Sequence, residues 1–316
     1  MFRHVFSAVV FLAATLAGCG GGQDAADTSG TTATASSPSA EAKKVGETGG
    51  LKVPESVRYD ADLDVYFISN INGNPSQRDN NGFIARVHAD SLNAVTMLAE
   101  GGKRGLFLNA PKGLAIQGDT LFVTDIYMLR RFHKRTGEYL GAVDLRDYGA
   151  TFLNDIAIGP DGVYITDTGI QFDEQGNMTH PGENRVFKVN GLRVTTALRG
   201  DSLMNPNGIS WDAKNARFIL APFGGPNIQA WNPGTDQTTT LASGPGGYDG
   251  VEVLGNGNIL VSSWTDSTVH VLHGGSHIMP LVRNVPSPAD IGVDTKRNIV
   301  AIPRFNDGKV EYYKIP

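Results

Sequence analysis

The 316-residue chain contains one cysteine, Cys19. A single thiol excludes an internal disulfide framework and any thiolate-held metal cluster, so the folded body is held by burial and hydrogen bonding. None of the seven histidines falls in an HExxH pattern or another close ligand spacing. No G-x-S-x-G elbow occurs either, which removes the commonest zinc-hydrolase and serine-hydrolase routes. Gly255-Asn256-Gly257 lies in a hairpin with no helix after it, so it is not a phosphate loop. Charge is sparse, with a net value of −5, which argues against a nucleic-acid partner because such a partner needs a basic face. The one long apolar run, residues 5–17, is too short to span a bilayer.

That run follows Arg3 and ends in Leu16-Ala17-Gly18-Cys19, the form of a secretory signal. Its end is similar to the bacterial lipobox, in which the cysteine is acylated and becomes the new N-terminus. The expectation is a signal peptide over residues 1–18 and lipidation at Cys19. The protein would then be exported and touch the membrane only through its lipid anchor. Gly20 after Cys19, in place of Asp, suggests the outer membrane, facing the periplasm, where two membranes exist. Residues 20–50 are rich in Gly, Ser, Thr, Ala and Asp and lack aromatic residues and apolar periodicity, so they read as a flexible tether. A coil of that length has an r.m.s. reach of about 30 Å.

From 51 to 316 one pattern recurs six times: a polar residue, a spacer, alternating apolar positions, a turn and a second apolar run. The copies begin Glu55-Ser-Val-Arg-Tyr, Lys112-Gly-Leu-Ala-Ile, Asn154-Asp-Ile-Ala-Ile, Asn207-Gly-Ile-Ser-Trp, Asp249-Gly-Val-Glu-Val and Ala289-Asp-Ile-Gly-Val. Their starts are 57, 42, 53, 42 and 40 residues apart, the period of four-stranded propeller blades. Period-two alternation argues strands over helices. The predicted fold is therefore all-β, a single six-bladed β-propeller. The last copy leaves room for three strands, so an N-terminal segment around Leu51-Lys52-Val53 is expected to close the last blade and cover its edge.

In a propeller the first strand of each blade lines the central channel, so residues at one register converge on one mouth. Here that ring reads Glu55, Lys112, Asn154, Asn207, Asp249 and Ala289. The two long insertions, 70–81 and 168–183, fall between the second and third strands of their blades and thus on the same face. Two carboxylates and two amide oxygens form a hard-oxygen set suited to Ca²⁺ or another hard divalent ion. The alternative is that Lys112 neutralises the carboxylates while the asparagines hydrogen-bond turn backbone. Asp60-Ala-Asp-Leu-Asp64 begins like a calcium loop but has Val65 and Ile71 where Gly and Glu are needed, so it reads as a hairpin turn.

Pro54-Glu-Ser-Val57, Asn154-Asp155 with Gly159-Pro-Asp-Gly162, Pro206-Asn-Gly208 and Tyr248-Asp-Gly250 resemble the gluconolactonase and regucalcin (senescence marker protein) family, and the resemblance covers the body from Leu51 onward. It implies a six-bladed propeller with one catalytic divalent metal, most often Ca²⁺ with Zn²⁺ or Mn²⁺ as further candidates, that hydrolyses a small-molecule lactone or other ester. It further implies Glu55, Asn207 and Asp249 as metal ligands, Asp249 also as general base, and Asn154 beside the metal on the substrate side. Three positions depart from the family pattern: Phe152 stands where an arginine is usual, Ala221-Pro222 where Asp-Ser is usual, and Lys112 adds a positive charge to the ring. Phe152 and Lys112 thereby become substrate-side candidates, and an apolar or anionic ester competes with a sugar lactone. A non-catalytic envelope propeller, using the same mouth for a protein, peptide or glycan, is the alternative of a different class. The Pro-Glu-Ser start also resembles strictosidine-synthase-like propellers, which use a glutamate without a metal.

Overall fold

The computed structural model describes residues 42–316 apart from Gly275. Six four-stranded antiparallel sheets are arranged as the blades of a β-propeller, and no α-helix occurs among the described residues. The innermost strands are Pro54–Asp60, Pro111–Gln117, Leu153–Gly159, Pro206–Asp212, Tyr248–Val253 and Gly292–Asp294. Burial follows position in the blade. The second strand of the first blade, Val65–Asn70, is buried at every residue, whereas its outermost strand, Ser91–Glu100, is largely exposed. The second strand packs between neighbouring blades on both faces, so its side chains cannot alternate between core and water.

The core is a series of inter-blade clusters. Val57, Tyr66 and Ile68 of the first blade pack on Ala301, Val310 and Tyr312 of the last, while Phe67 and Ile84 pack on Leu114 and Val123 of the second. Each such large side chain contributes about 1.5–3 kcal/mol on burial. Near the axis the blades meet through glycine. A Cβ on Gly113, Gly208 or Gly250 would lie 2.4 Å from the Asn154 carbonyl oxygen, 2.3 Å from the Asp249 carbonyl oxygen and 2.4 Å from the Ile291 nitrogen, respectively. Only a residue without a side chain lets adjacent inner strands approach so closely. Each of these glycines directly follows a ring residue, so the close approach also draws the ring together.

The last blade is completed by Lys43–Thr48, which pairs antiparallel with Lys309–Lys314. The expectation of closure by residues 51–53, with a tether running to residue 50, is corrected here. Gly50 and Val53 have positive φ, 77° and 52°, so the backbone turns there and cannot continue a strand. Instead Leu51 is buried and its N–H donates to the Gly308 carbonyl at 3.0 Å. The strand carries polar residues, Lys44 and Glu47 among them, because it is outermost and faces water. Closure is reinforced at the axis, where Asp290 N–H donates to the Glu55 carbonyl at 2.8 Å and Val57 N–H to the Asp290 carbonyl at 3.2 Å. The expected signal peptide, Cys19 and the rest of the tether up to residue 41 lie outside the described residues.

Both insertions lie at one mouth. The second carries a small hairpin, Gln171–Phe172 with Met178–Thr179, and it touches the first: the Asn74 side-chain amide donates to the Asp173 carbonyl at 2.6 Å and Phe172 N–H to the Ser76 hydroxyl at 3.0 Å. Together they roof part of the mouth.

Candidate functional site

Glu55, Lys112, Phe152, Asn154, Asn207 and Asp249 all line one cavity of about 610 Å³ at the insertion-bearing mouth. Each polar ring residue is the second residue of its inner strand. The turns before the strands are held by the last residues of the second strands. Asp125 accepts from the N–H of Asn109 and, at 2.8 Å, from that of Ala110. Asp167 likewise accepts from Phe152 N–H at 2.7 Å and from Thr151, and Asn70 from Lys52 at 2.9 Å. Pro222 carries no acceptor at this position, and in its blade backbone bonds from Phe223 to Asn205 and from Gly224 to Met204 do the work, each 2.9 Å.

Glu55, Asn154, Asn207 and Asp249 are 5 %, 4 %, 6 % and 5 % exposed, yet Glu55 Oε2, Asn154 Oδ1, Asn207 Oδ1 and Asp249 Oδ1 have no hydrogen-bond partner. An orphaned buried acceptor costs about 1–3 kcal/mol, and four in one ring form an unusual cluster. Their orientation is fixed from behind. Asn154 Nδ2 donates to the Thr168 hydroxyl at 3.1 Å, which itself donates to the Pro206 carbonyl at 2.9 Å. Trp264 Nε1 donates to Asp249 Oδ2 at 2.8 Å, leaving Oδ1 free. The asparagines therefore do not spend these oxygens on turn backbone. Two carboxylates and two amide oxygens, buried, oriented and unmatched by donors, fit a hard dication in chemistry and charge.

Lys112 does not neutralise the ring by pairing. Its Nζ lies 4.1 Å from the Phe152 ring centroid and 3.3 Å from the Ala110 carbonyl oxygen. Burial lowers its pKa to about 8, against the pull of Glu55, Asp125 and Asp167. Burial also pushes Asp249 up to about 8, with Asp290 adding to the rise and Trp264 opposing it. Glu55 is held well above the ordinary carboxylate range, first by burial and then by Asp249.

A second layer lies one to three residues further along the inner strands and was not singled out from the sequence. Asp155 and Asp290, each 1 % exposed, flank the Arg58 guanidinium, and Glu252 pairs with it at 2.8 Å. Arg58 also donates to the carbonyls of Leu114, at 2.8 Å, and Ile291, at 2.5 Å.

The walls of the mouth were missed as well. The residue following each second strand is Ile71, Ile126, Thr168, Phe223, Trp264 or Phe305, and all but Ile126 line the cavity. The signal was positional, the same register in every blade, but apolar residues after a buried strand read as ordinary core. The Asp60–Asp64 segment forms a turn, with Asp60 held by Lys134 at 2.7 Å and by Leu63 N–H at 2.8 Å. The outer group Asp64, His88 and Asp90 is occupied by Arg297, which pairs with Asp64 at 2.7 Å and with Asp90 at 2.6 Å.

No protein-family model matches the sequence, and a search of curated proteins finds no match. Among solved structures, a protein named only provisionally as a gluconolactonase superposes with a TM-score of 0.66 at 16 % identity, covering 87 % of this chain and 91 % of its own. A chain of a nidogen/laminin complex gives 0.54 at 19 % identity over 73 % and 77 %. A protein of unknown function from Bacteroides thetaiotaomicron gives 0.60 at 12 % identity over 87 % and 72 %. These likenesses establish the propeller fold. At such identities they carry no activity across, and propellers serve both catalysis and binding.

Proposed function

We propose that this propeller is a divalent-metal-dependent hydrolase of a lactone or other ester, with Ca²⁺ the best-suited ion and Zn²⁺ or Mn²⁺ as alternatives. The observation that carries the reading is the set of four buried, unpartnered oxygens converging on one cavity. Glu55, Asn207 and Asp249 would hold the ion, with Asn154 Oδ1 beside it toward the substrate. A dication there supplies Lewis-acid polarisation of the ester carbonyl and offsets the negative charge that develops on its oxygen.

The chain's own residues supply the rest. Asp249, oriented by Trp264, takes the proton of the attacking water. Its raised pKa falls back into the ionised range beside a dication. Glu55 balances the ion's charge. Lys112, buried over Phe152, is placed to give a proton to the departing alkoxide. The insertions that roof the mouth limit water at the reacting carbonyl.

A second reading rests on the apolar walls: Ile71, Phe223, Trp264 and Phe305 would also hold a protein, peptide or glycan segment without turnover. Calorimetric titration of the metal-stripped protein with Ca²⁺, Zn²⁺ and Mn²⁺, compared with Asp249→Ala, separates the two. The hydrolase reading expects one site that the substitution abolishes. No divalent binding by the wild type would overturn it in favour of the binding propeller.

A further inference from the structure

Above the ring of oxygens, the mouth is built from aromatic rings. Phe152 and Phe172 lie 6.0 Å apart by centroid on the side of the third blade. Trp264 packs edge-on between Phe223, at 6.0 Å, and Phe305, at 5.4 Å, across the fourth, fifth and sixth blades. Most of the polar groups interleaved with them are already committed, and the Glu174 and Gln175 side chains stand at the exposed rim. The Trp264 indole N–H goes to Asp249, the Thr168 hydroxyl goes to the Pro206 carbonyl and Asn154, and the Asn74 amide goes to the Asp173 carbonyl. Asn306 at the rim spends its amide on the Ser287 hydroxyl at 2.7 Å. A polyhydroxylated ring pressed against such walls would bury hydroxyls without partners, each costing roughly 5- to 100-fold in affinity. A flat apolar ring loses nothing there and gains ring-to-ring contact.

We infer that the substrate of this site is an aryl lactone or aryl ester, its arene held between Phe152 and Phe172 on one side and Phe223, Trp264 and Phe305 on the other, and not a sugar lactone. Phe152 has a double part: it forms the wall and carries the Lys112 ammonium on its face, so the amine stays beside the ester end of the substrate. Phe172 reaches the site because its hairpin is hydrogen-bonded to Ser76 of the first insertion. The roof thus completes the aromatic cage.

The inference rests on the hydrolase reading for where the carbonyl sits, but it is tested by binding. Two lactams that cannot turn over, one fused to a benzene ring and one bearing ring hydroxyls in its place, are titrated into the Ca²⁺-loaded protein by calorimetry. Expected is at least 30-fold tighter binding of the aryl lactam, reduced about tenfold in Phe305→Ala and in Phe172→Ala, with the hydroxylated lactam changed less than twofold. Equal or tighter binding of the hydroxylated lactam, or no binding of the aryl lactam, overturns the inference whichever parent lactone is hydrolysed. Tight aryl-lactam binding with no hydrolysis of the aryl lactone sustains it and fails only the hydrolase reading.

Discussion

Lys112 is the ring residue whose charge opposes the two carboxylates. Its amine could have been an internal counter-ion that makes a metal unnecessary, yet it turns to the Phe152 face and the Ala110 carbonyl and leaves Glu55 Oε2 and Asp249 Oδ1 unmatched. A nearby fixed cation still opposes a second one. Lys112→Met, which keeps the apolar stem against Phe152, is therefore expected to tighten Ca²⁺ binding about tenfold by calorimetry while slowing turnover. Unchanged affinity would show that the amine is neutral at the titration pH or turned from the ion. Asp249→Asn tests the base. The substitution keeps an oxygen for the Trp264 indole N–H, so melting is expected within a few degrees of wild type while hydrolysis falls at least 100-fold. Retained hydrolysis would remove Asp249 from proton transfer. These ring positions were legible because each begins an inner strand in a repeated pattern. Trp264 and Phe305 lie at an equally regular register, but an aromatic residue after a buried strand has too many ordinary explanations to stand out.

At the scale of the element, the closing strand shows where sequence legibility stops. Inner and second strands carry alternating or continuous apolar runs because both sheet faces are covered, and those runs gave away six blades. Lys43–Thr48 buries little beyond Thr48, whose hydroxyl meets that of Tyr312 at 3.0 Å, so its composition merges with the polar tract before it. The contact between the two roofing insertions was equally unreadable: Asn74 and Asp173 meet across 99 positions of sequence, and no local period encodes such a pairing. What fastens the closing strand is electrostatic. Glu311 on Lys309–Lys314 pairs with Lys44 of the closing strand at 2.9 Å, with Arg304 at 2.9 Å and with Lys309 at 2.8 Å. Burial alone would raise its pKa, but Lys309, Lys44 and Arg304 outweigh that and hold it down at about 2. A depressed carboxylate contributes stability that is complete above its unfolded pKa, near 4.5, and lost as pH falls toward 2. Hydrogen exchange at residues 43–48, taken relative to its intrinsic rate at each pH, is thus expected to accelerate between pH 5 and 3 before the rest of the propeller opens. In Glu311→Gln it should already be fast at neutral pH, with stability lower by about 1–2 kcal/mol after allowance for solvent screening. Exchange in 43–48 that tracks global unfolding at every pH would mean that backbone pairing alone secures the closure.

For the whole molecule, the channel core below the mouth is the coupling element, since six blades meet there through side chains more than through apolar packing. Arg58 of the first blade reaches the Leu114 carbonyl of the second, Asp155 of the third, Glu252 of the fifth and both Asp290 and the Ile291 carbonyl of the sixth. Asp155 brings in the fourth by accepting from Ile209 N–H at 2.9 Å. Removing one partner of a buried charge cluster costs more than the cluster is worth, about 3–5 kcal/mol, because the remaining charges stay desolvated. Arg58→Met is accordingly expected to lower the melting temperature by on the order of 10 °C, and Asp155→Asn with Asp290→Asn in the same chain should recover part of that loss. The pH dependence separates this cluster from the closing strand. Burial raises the pKa of Asp155 and of Asp290 despite Arg58, so the folded state holds protons that the unfolded state has released, and stability falls as pH rises above the unfolded value. Without Arg58 the rise grows, so Arg58→Met should lie closest to wild type near pH 5 and furthest from it near pH 8, above the pH window in which the Glu311 effect changes. A melting deficit that is constant from pH 5 to 8 would mean that none of the three carboxylates facing Arg58, those of Asp155, Asp290 and Glu252, changes its protonation across that range.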